Sequence, residues 1–73
     1  MKTKVYDGYS KECIGTFHSR EDAERWLGKR AYEWNYGRMG QWSVDGKDYF
    51  DCGPRTFFIY NEKSSCLNQK DNL

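Results

Sequence analysis

The spacing of apolar side chains in the first half of the chain predicts one amphipathic helix. Five apolar residues recur at helical intervals and form its predicted buried stripe: Ala23, Trp26, Leu27, Ala31 and Trp34. Ser19 comes just before this pattern as an N-cap, and Gly37 follows it as a C-terminal stop. We therefore expect a helix that begins after Ser19 and ends at about Asn35 or Tyr36.

Segments rich in β-branched and aromatic residues predict five strands around this helix. These strands are Lys4–Tyr9, Cys13–Phe17, Gln41–Val44, Lys47–Phe50 and Thr56–Tyr60. The dipeptide Asp45-Gly46 is typical of a two-residue hairpin turn and joins the third strand to the fourth. The order β-β-α-β-β-β predicts an α+β fold, a small antiparallel sheet with one helix packed across one face. We expect a single domain over residues 1–62 and a flexible polar tail over residues 63–73.

A single helix covers only one face of a sheet, so the other face must meet water or a partner. Five residues are expected to point toward the helix: Val5, Trp42, Val44, Phe57 and Ile59. Alternation along the strands then places Tyr6, Phe58 and Tyr60 on the uncovered face. This face is one of two candidate binding surfaces.

The composition supports a binding role for exposed rings, because aromatic residues outnumber the branched aliphatic ones. The chain has 73 residues, with three Trp, six Tyr and four Phe, against only seven Val, Ile and Leu. A domain of this size buries only about 60% of its unfolded surface, so rings must supply much of the core. The rings are nevertheless more numerous than such a core requires, which favours a role in recognition for some of them.

The second candidate surface is the outward side of the predicted helix. Arg25, Lys29, Tyr32 and Tyr36 follow one another at helical spacing opposite the buried stripe, with Gly28 beside them. Tyr and Arg are enriched in protein interfaces, so these four residues are the predicted partner-binding site, and the partner is expected to be a protein. The structural alternative is that both tyrosines cover neighbouring side-chain stems or the edge of the core.

Two other kinds of partner remain open. Nucleic acid could contact the basic residues near the helix, and its bases could stack on Tyr6, Phe58 and Tyr60. The net charge of +1 and the glutamates interleaved along the helix argue against a general nucleic-acid binder. Either aromatic surface could also pair with its own copy to form a homodimer.

The residues with potential chemistry do not form a catalytic or metal-binding motif, so we expect a non-enzymatic protein without a cofactor. His18 is the only histidine and comes just before the helix cap. Cys52 lies in a Gly-Pro turn where its thiol could be exposed, but nothing in the sequence indicates a reactive thiol, so we expect a structural or incidental one. Asp45, Asp48 and Asp51 recur every third residue but lack the sequence of a calcium loop.

The absence of a long apolar run and of a secretory signal predicts a cytoplasmic protein that does not enter the membrane. Cys13, Cys52 and Cys66 are odd in number and widely spaced, and we expect them to be reduced thiols. One disulfide remains an alternative if the chain was cut from a longer precursor.

In size, aromatic density and lack of catalytic residues, the chain is similar to small phage-encoded proteins that bind and inhibit host factors. This likeness implies an inhibitor or modulator of a partner protein. It includes no sequence motif, so no residue roles are taken from it.

Overall fold

The computed structural model describes residues 2–61 of the chain, and the predicted tail over residues 63–73 lies outside the described residues. The elements are β1 (Thr3–Asp7), β2 (Cys13–Phe17), α1 (Arg20–Asn35), β3 (Gly40–Val44), β4 (Lys47–Asp51) and β5 (Thr56–Tyr60). All five strands form one antiparallel sheet in the order β2-β1-β5-β4-β3. The predicted α+β fold and its element order are confirmed.

The helix begins and ends as its sequence predicts. The Ser19 hydroxyl accepts a hydrogen bond from the Asp22 N–H at 3.1 Å, which satisfies one free donor of the first turn. At the other end, Tyr36 and Gly37 adopt left-handed conformations with φ of 55° and 81°. The Gly37 N–H then donates to the Ala31 carbonyl at 3.0 Å. At 16 residues with frequent charges, α1 is neither long nor apolar enough to cross a membrane.

The main core lies between α1 and the sheet. Its buried members are Val5, Ala23, Leu27, Ala31, Phe50, Cys52, Phe57 and Ile59. α1 packs against β1 and β2, whereas every residue of β3 is exposed. The helix therefore covers only part of one face, and the opposite face has no layer packed on it within residues 2–61.

Two positions near the core differ from the sequence-based expectation. Trp34 is 38% exposed, because Ala23, Leu27 and Ala31 form the centre of the contact and Trp34 lies at its margin, 6.4 Å from the Phe57 ring. Cys52 is fully buried instead of exposed, and its thiol donates to the Leu27 carbonyl at 3.4 Å. Burial raises the pKa of this thiol, and the nearby Asp51 carboxylate raises it further, against a smaller lowering by Arg30.

β1 ends at Asp7 rather than at Tyr9, because the Asp7 side chain forms a turn. One of its carboxylate oxygens accepts hydrogen bonds from the N–H groups of Tyr9 and Ser10 at 2.8 and 2.9 Å. The other oxygen pairs with the Arg55 guanidinium at 2.6 Å. This turn fixes the path of the chain at one end of the sheet.

A glycine in the neighbouring Cys52–Arg55 turn, at the same end of the sheet, lets that turn approach the end of α1. Gly53 has φ of 105°, and a Cβ atom there would lie 2.9 Å from the Asn35 Cβ.

Gly53→Ala should therefore lower the free energy of unfolding by about 1–3 kcal/mol, through backbone strain and steric overlap. Urea denaturation of the purified variant measures this change.

The control for this prediction is Gly28→Ala within α1. A Cβ atom at Gly28 has no neighbour within 4 Å, so alanine should raise helix stability by roughly 0.5–1 kcal/mol. A Gly53→Ala variant as stable as the original chain would contradict the tight packing of this turn on the helix.

Candidate functional site

The outward side of α1 exposes two tyrosines that the core does not use. We call this surface the helix tyrosine face, formed by Arg25, Gly28, Lys29, Tyr32 and Tyr36. Tyr32 is 77% exposed and Tyr36 is 94% exposed. The structure thus leaves all four predicted partner-binding residues exposed, and within residues 2–61 neither tyrosine covers the core, which was the structural alternative.

Tyr36 combines this exposure with an unfavourable backbone conformation. Its left-handed φ of 55° costs a residue with a Cβ atom roughly 1–2 kcal/mol, and glycine or asparagine is usual at this position. Because the ring is 94% exposed, packing against residues 2–61 does not offset that cost. A tyrosine here is therefore poorly explained by stability alone.

Most of the positive charge on α1 is neutralised by acids of the same chain. Arg25 lies 2.9 Å from an Asp22 oxygen, and Arg20 pairs with both Glu24 and Asp48. The third arginine of the helix, Arg30, pairs with Glu33 at 3.0 Å. These ion pairs leave the helix tyrosine face only weakly basic.

Arg30 also lies against the two indole rings at the edge of the helix. Its guanidinium carbon is 5.2 Å from the Trp26 ring centroid and 5.9 Å from that of Trp34. Arg30 is therefore part of an aromatic–cation stack and does not contribute to a free basic patch.

The sheet face opposite α1 contains a continuous group of aromatic rings. We call it the open sheet face, and its rings are Tyr6, Trp42, Tyr49, Phe58 and Tyr60. Cross-strand partners share a face, and the pairs Tyr6–Phe58 and Tyr49–Phe58 place β1, β4 and β5 in register there. Tyr6, Phe58 and Tyr60 thus lie on the uncovered side, as alternation predicted.

The expected orientation of Trp42 and Val44 toward the helix is wrong. The Asp45-Gly46 hairpin pairs Trp42 with Tyr49 and Val44 with Lys47, which puts both side chains on the open sheet face. The Trp42 and Tyr49 rings are parallel within 4°, with centroids 5.4 Å apart. Trp42 is 47% exposed and is therefore a surface residue that the sequence-based prediction missed.

Phe58 lies at the bottom of this aromatic group and is only 1% exposed. The Tyr6 ring stacks on it with a centroid separation of 5.2 Å, and the Tyr60 ring meets it edge-on at 5.4 Å. The Lys11 and Lys47 ammonium groups lie 5.5 and 5.3 Å from the Phe58 centroid. Phe58 supports the open sheet face from below and is not itself available to a ligand.

The β1–β2 turn holds Lys11 in this position. Lys11 has φ of 70°, its N–H donates to the Asp7 carbonyl, and its ammonium group donates to the Gly8 carbonyl at 3.0 Å. Because the Asp7 carboxylate organises the same turn, the Asp7–Arg55 pair indirectly positions a cation on the open sheet face.

Two aspartates on the helix side have lowered pKa values. Hydrogen bonds from the Arg55 guanidinium and from the Ser10 and Tyr9 N–H groups lower the pKa of Asp7 from 3.8 to about 2. Partial burial raises the pKa of Asp48, but hydrogen bonds from Ser43, Asn61 and Arg20 outweigh it and lower the value overall.

Three other side chains with potential chemistry lie among the described residues. His18 is exposed at the junction of β2 and α1, and Cys13 and Cys52 are free thiols, exposed and buried respectively. Within residues 2–61 no three His, Cys, Asp or Glu side chains are grouped to hold a metal ion. A shallow cleft of about 600 Å³ lies between the β1–β2 turn and the Cys52–Arg55 turn, but its Asp7 and Arg55 side chains bind each other.

These features define a small α+β domain with aromatic residues exposed on two different surfaces. In comparisons with protein families, curated proteins and solved structures, nothing matches this chain. The residues of the two surfaces are therefore the basis for inferring function.

The lowered pKa of Asp7 predicts a specific loss of stability in acid. The folded chain favours ionised Asp7, so its stabilising contribution is complete above pH of about 4 and is lost as the pH falls toward 2. Asp7→Asn should reduce the slope of unfolding free energy against pH in this window. Urea denaturation between pH 2 and 7 measures the slope.

Arg55→Gln serves as the matched variant, because it removes the charged partner while leaving Asp7 free to titrate. Its slope should lie between those of Asp7→Asn and the original chain, and Asp48 should leave a residual slope in all three. An unchanged slope in Asp7→Asn would contradict the role assigned to the Asp7–Arg55 pair.

Proposed function

We propose that this chain is a non-enzymatic binding module that recognises another protein through its helix tyrosine face. The observation that carries the proposal is Tyr36, whose ring is 94% exposed although its backbone adopts a conformation better suited to glycine. A residue that weakens the helix end and packs on nothing in residues 2–61 is best explained by contacts made in a complex.

The chemistry of the face indicates the partner surface that would fit it. Tyr32 and Tyr36 offer two rings with polar ends, and Lys29 adds a cation without an ion pair in residues 2–61. Gly28 leaves the backbone beside them open, since a Cβ atom there would have no neighbour within 4 Å. The expected partner is a protein with apolar pockets for the rings and at least one carboxylate beside them.

Binding of this kind would act by covering a surface of the partner. The chain would then be an inhibitor or modulator, in line with the small phage-encoded proteins that it is similar to in size and aromatic content. We place this activity in the cytoplasm, where Cys13 and Cys52 would remain the free thiols that the structure contains.

The proposal predicts that stability and binding can be changed in opposite directions at one residue. Tyr36→Gly should raise the free energy of unfolding by about 1 kcal/mol, since glycine adopts the left-handed conformation without strain. The same variant should bind its partner at least about tenfold more weakly, and adding Tyr32→Ser should abolish capture. Urea denaturation and affinity capture from lysate of the native host, followed by titration of the captured protein, measure both quantities.

Tyr9→Ser is the control, because Tyr9 is 96% exposed but lies in the β1–β2 turn. This variant should capture the partner like the original chain. Sedimentation of the purified protein identifies a homodimer as the alternative occupant of the face. Unfolding of the Tyr32→Ser/Tyr36→Gly variant, or equal capture by it and the original chain, would contradict the proposal.

A further inference from the structure

We propose that the open sheet face is a second binding site, which accommodates a short single-stranded segment of nucleic acid. This inference concerns a different surface from the helix tyrosine face and does not depend on the proposed protein partner. It follows from the combination, on one face of the sheet, of exposed flat rings with cations that have no ion pair within residues 2–61.

The exposed rings of this face are supported from below. Trp42 is 47% exposed and lies parallel to Tyr49, while Tyr60 is 54% exposed and contacts the buried Phe58 edge-on. The cluster thus fixes both outer rings while leaving about half of each accessible. Preorganised rings of this kind can stack bases with little loss of side-chain entropy on binding.

The charges around these rings complement a phosphate backbone. Lys4 shares the face with Tyr6 by alternation along β1, Lys47 lies directly across from Tyr60, and Lys11 extends over Phe58. Within residues 2–61 none of these three lysines forms an ion pair. The only carboxylate that strand alternation places on this face among the described strand residues is Asp51, which accepts a hydrogen bond from the Gly53 N–H.

The distribution of charge explains why a net charge of only +1 is compatible with this site. The aspartates Asp7 and Asp48 on the helix side are paired with Arg55 and Arg20. Three acids of α1, Asp22, Glu24 and Glu33, likewise pair with arginines of the same helix. Lys4, Lys11 and Lys47 on the open sheet face are therefore among the cations of residues 2–61 that carry no ion pair and could meet an external anion.

The size of the face favours a short single strand over a duplex. The aromatic group extends from β1 to β3, which is three strand spacings or roughly 14 Å. Aromatic residues on a sheet of similar width stack about two or three unpaired bases in known recognition domains. Bases in a duplex are paired and stacked internally, so their faces are not accessible to Trp42 and Tyr60.

The test is titration of a fluorescein-labelled oligothymidylate of about ten nucleotides, followed by fluorescence anisotropy at about 20 mM and 200 mM salt. The original chain should bind at low salt and release the strand as salt rises. Trp42→Leu/Tyr60→Leu keeps apolar cover over the cluster but removes two stacking surfaces, and should weaken binding roughly five- to hundredfold per ring. Lys11→Gln/Lys47→Gln should reduce the slope of log affinity against log salt by about 1.4, or about 0.7 for each lysine that contacts a phosphate of a single strand.

The Tyr32→Ser/Tyr36→Gly variant is the matched control and should bind the oligonucleotide like the original chain. Undetectable binding at about 20 mM salt would overturn the inference, as would equal affinity for a duplex of the same length. Equal weakening by the helix control would overturn it as well. Self-association that the Trp42→Leu/Tyr60→Leu variant abolishes, without oligonucleotide binding, would assign the face to a second copy of the chain instead.

Discussion

The structure depends on the burial of β5, the central strand, whose two faces are covered by different groups. Phe57 and Ile59 point toward α1 and are buried by the helix and the neighbouring strands. Phe58 points the other way, where no second layer exists in residues 2–61, yet it is as fully buried as Phe57. Tyrosine rings and two lysine ammonium groups lie against Phe58, so the aromatic content of the chain has a structural cause on the open sheet face. The exposed rings of this face are a consequence of the same arrangement.

The two candidate surfaces therefore relate to stability in opposite ways. On the open sheet face, Tyr60 contacts the buried Phe58 and is also one of the two rings proposed to stack bases, so the proposed binding and folding share a residue. On the helix tyrosine face, Tyr32 and Tyr36 extend away from the core, and Tyr36 adds strain to the helix end. Residues that contribute to binding alone can change without loss of the fold, whereas residues with both roles are constrained by packing. This difference makes the helix tyrosine face the clearer indication of a partner.

Local signals in the sequence were sufficient for the elements but not for every side-chain direction. Ser19 and Gly37 marked the helix ends, and Asp45-Gly46 located the hairpin, because these effects act over a few residues. Alternation alone leaves open which face Trp42 occupies, and for this reason its predicted direction is wrong. The hairpin register pairs Trp42 with Tyr49, which is adjacent to the buried Phe50. Since neighbouring residues of a strand point to opposite faces, assigning Phe50 to the core places Tyr49 and Trp42 on the open sheet face. The cation positions over Phe58 depend on tertiary contacts that no local pattern contains.

The central claim is that one helix covers one face only, which leaves specific rings in contact with water. Hydroxyl-radical footprinting of the purified monomer, analysed by mass spectrometry, measures the accessibility of each ring directly. The account predicts rapid modification of Tyr32 and Tyr36, intermediate modification of Trp42 and Tyr60, and protection of Phe57 and Phe58. Protection of Tyr32 and Tyr36 equal to that of Phe57 would contradict it, because both tyrosines would then belong to the interior.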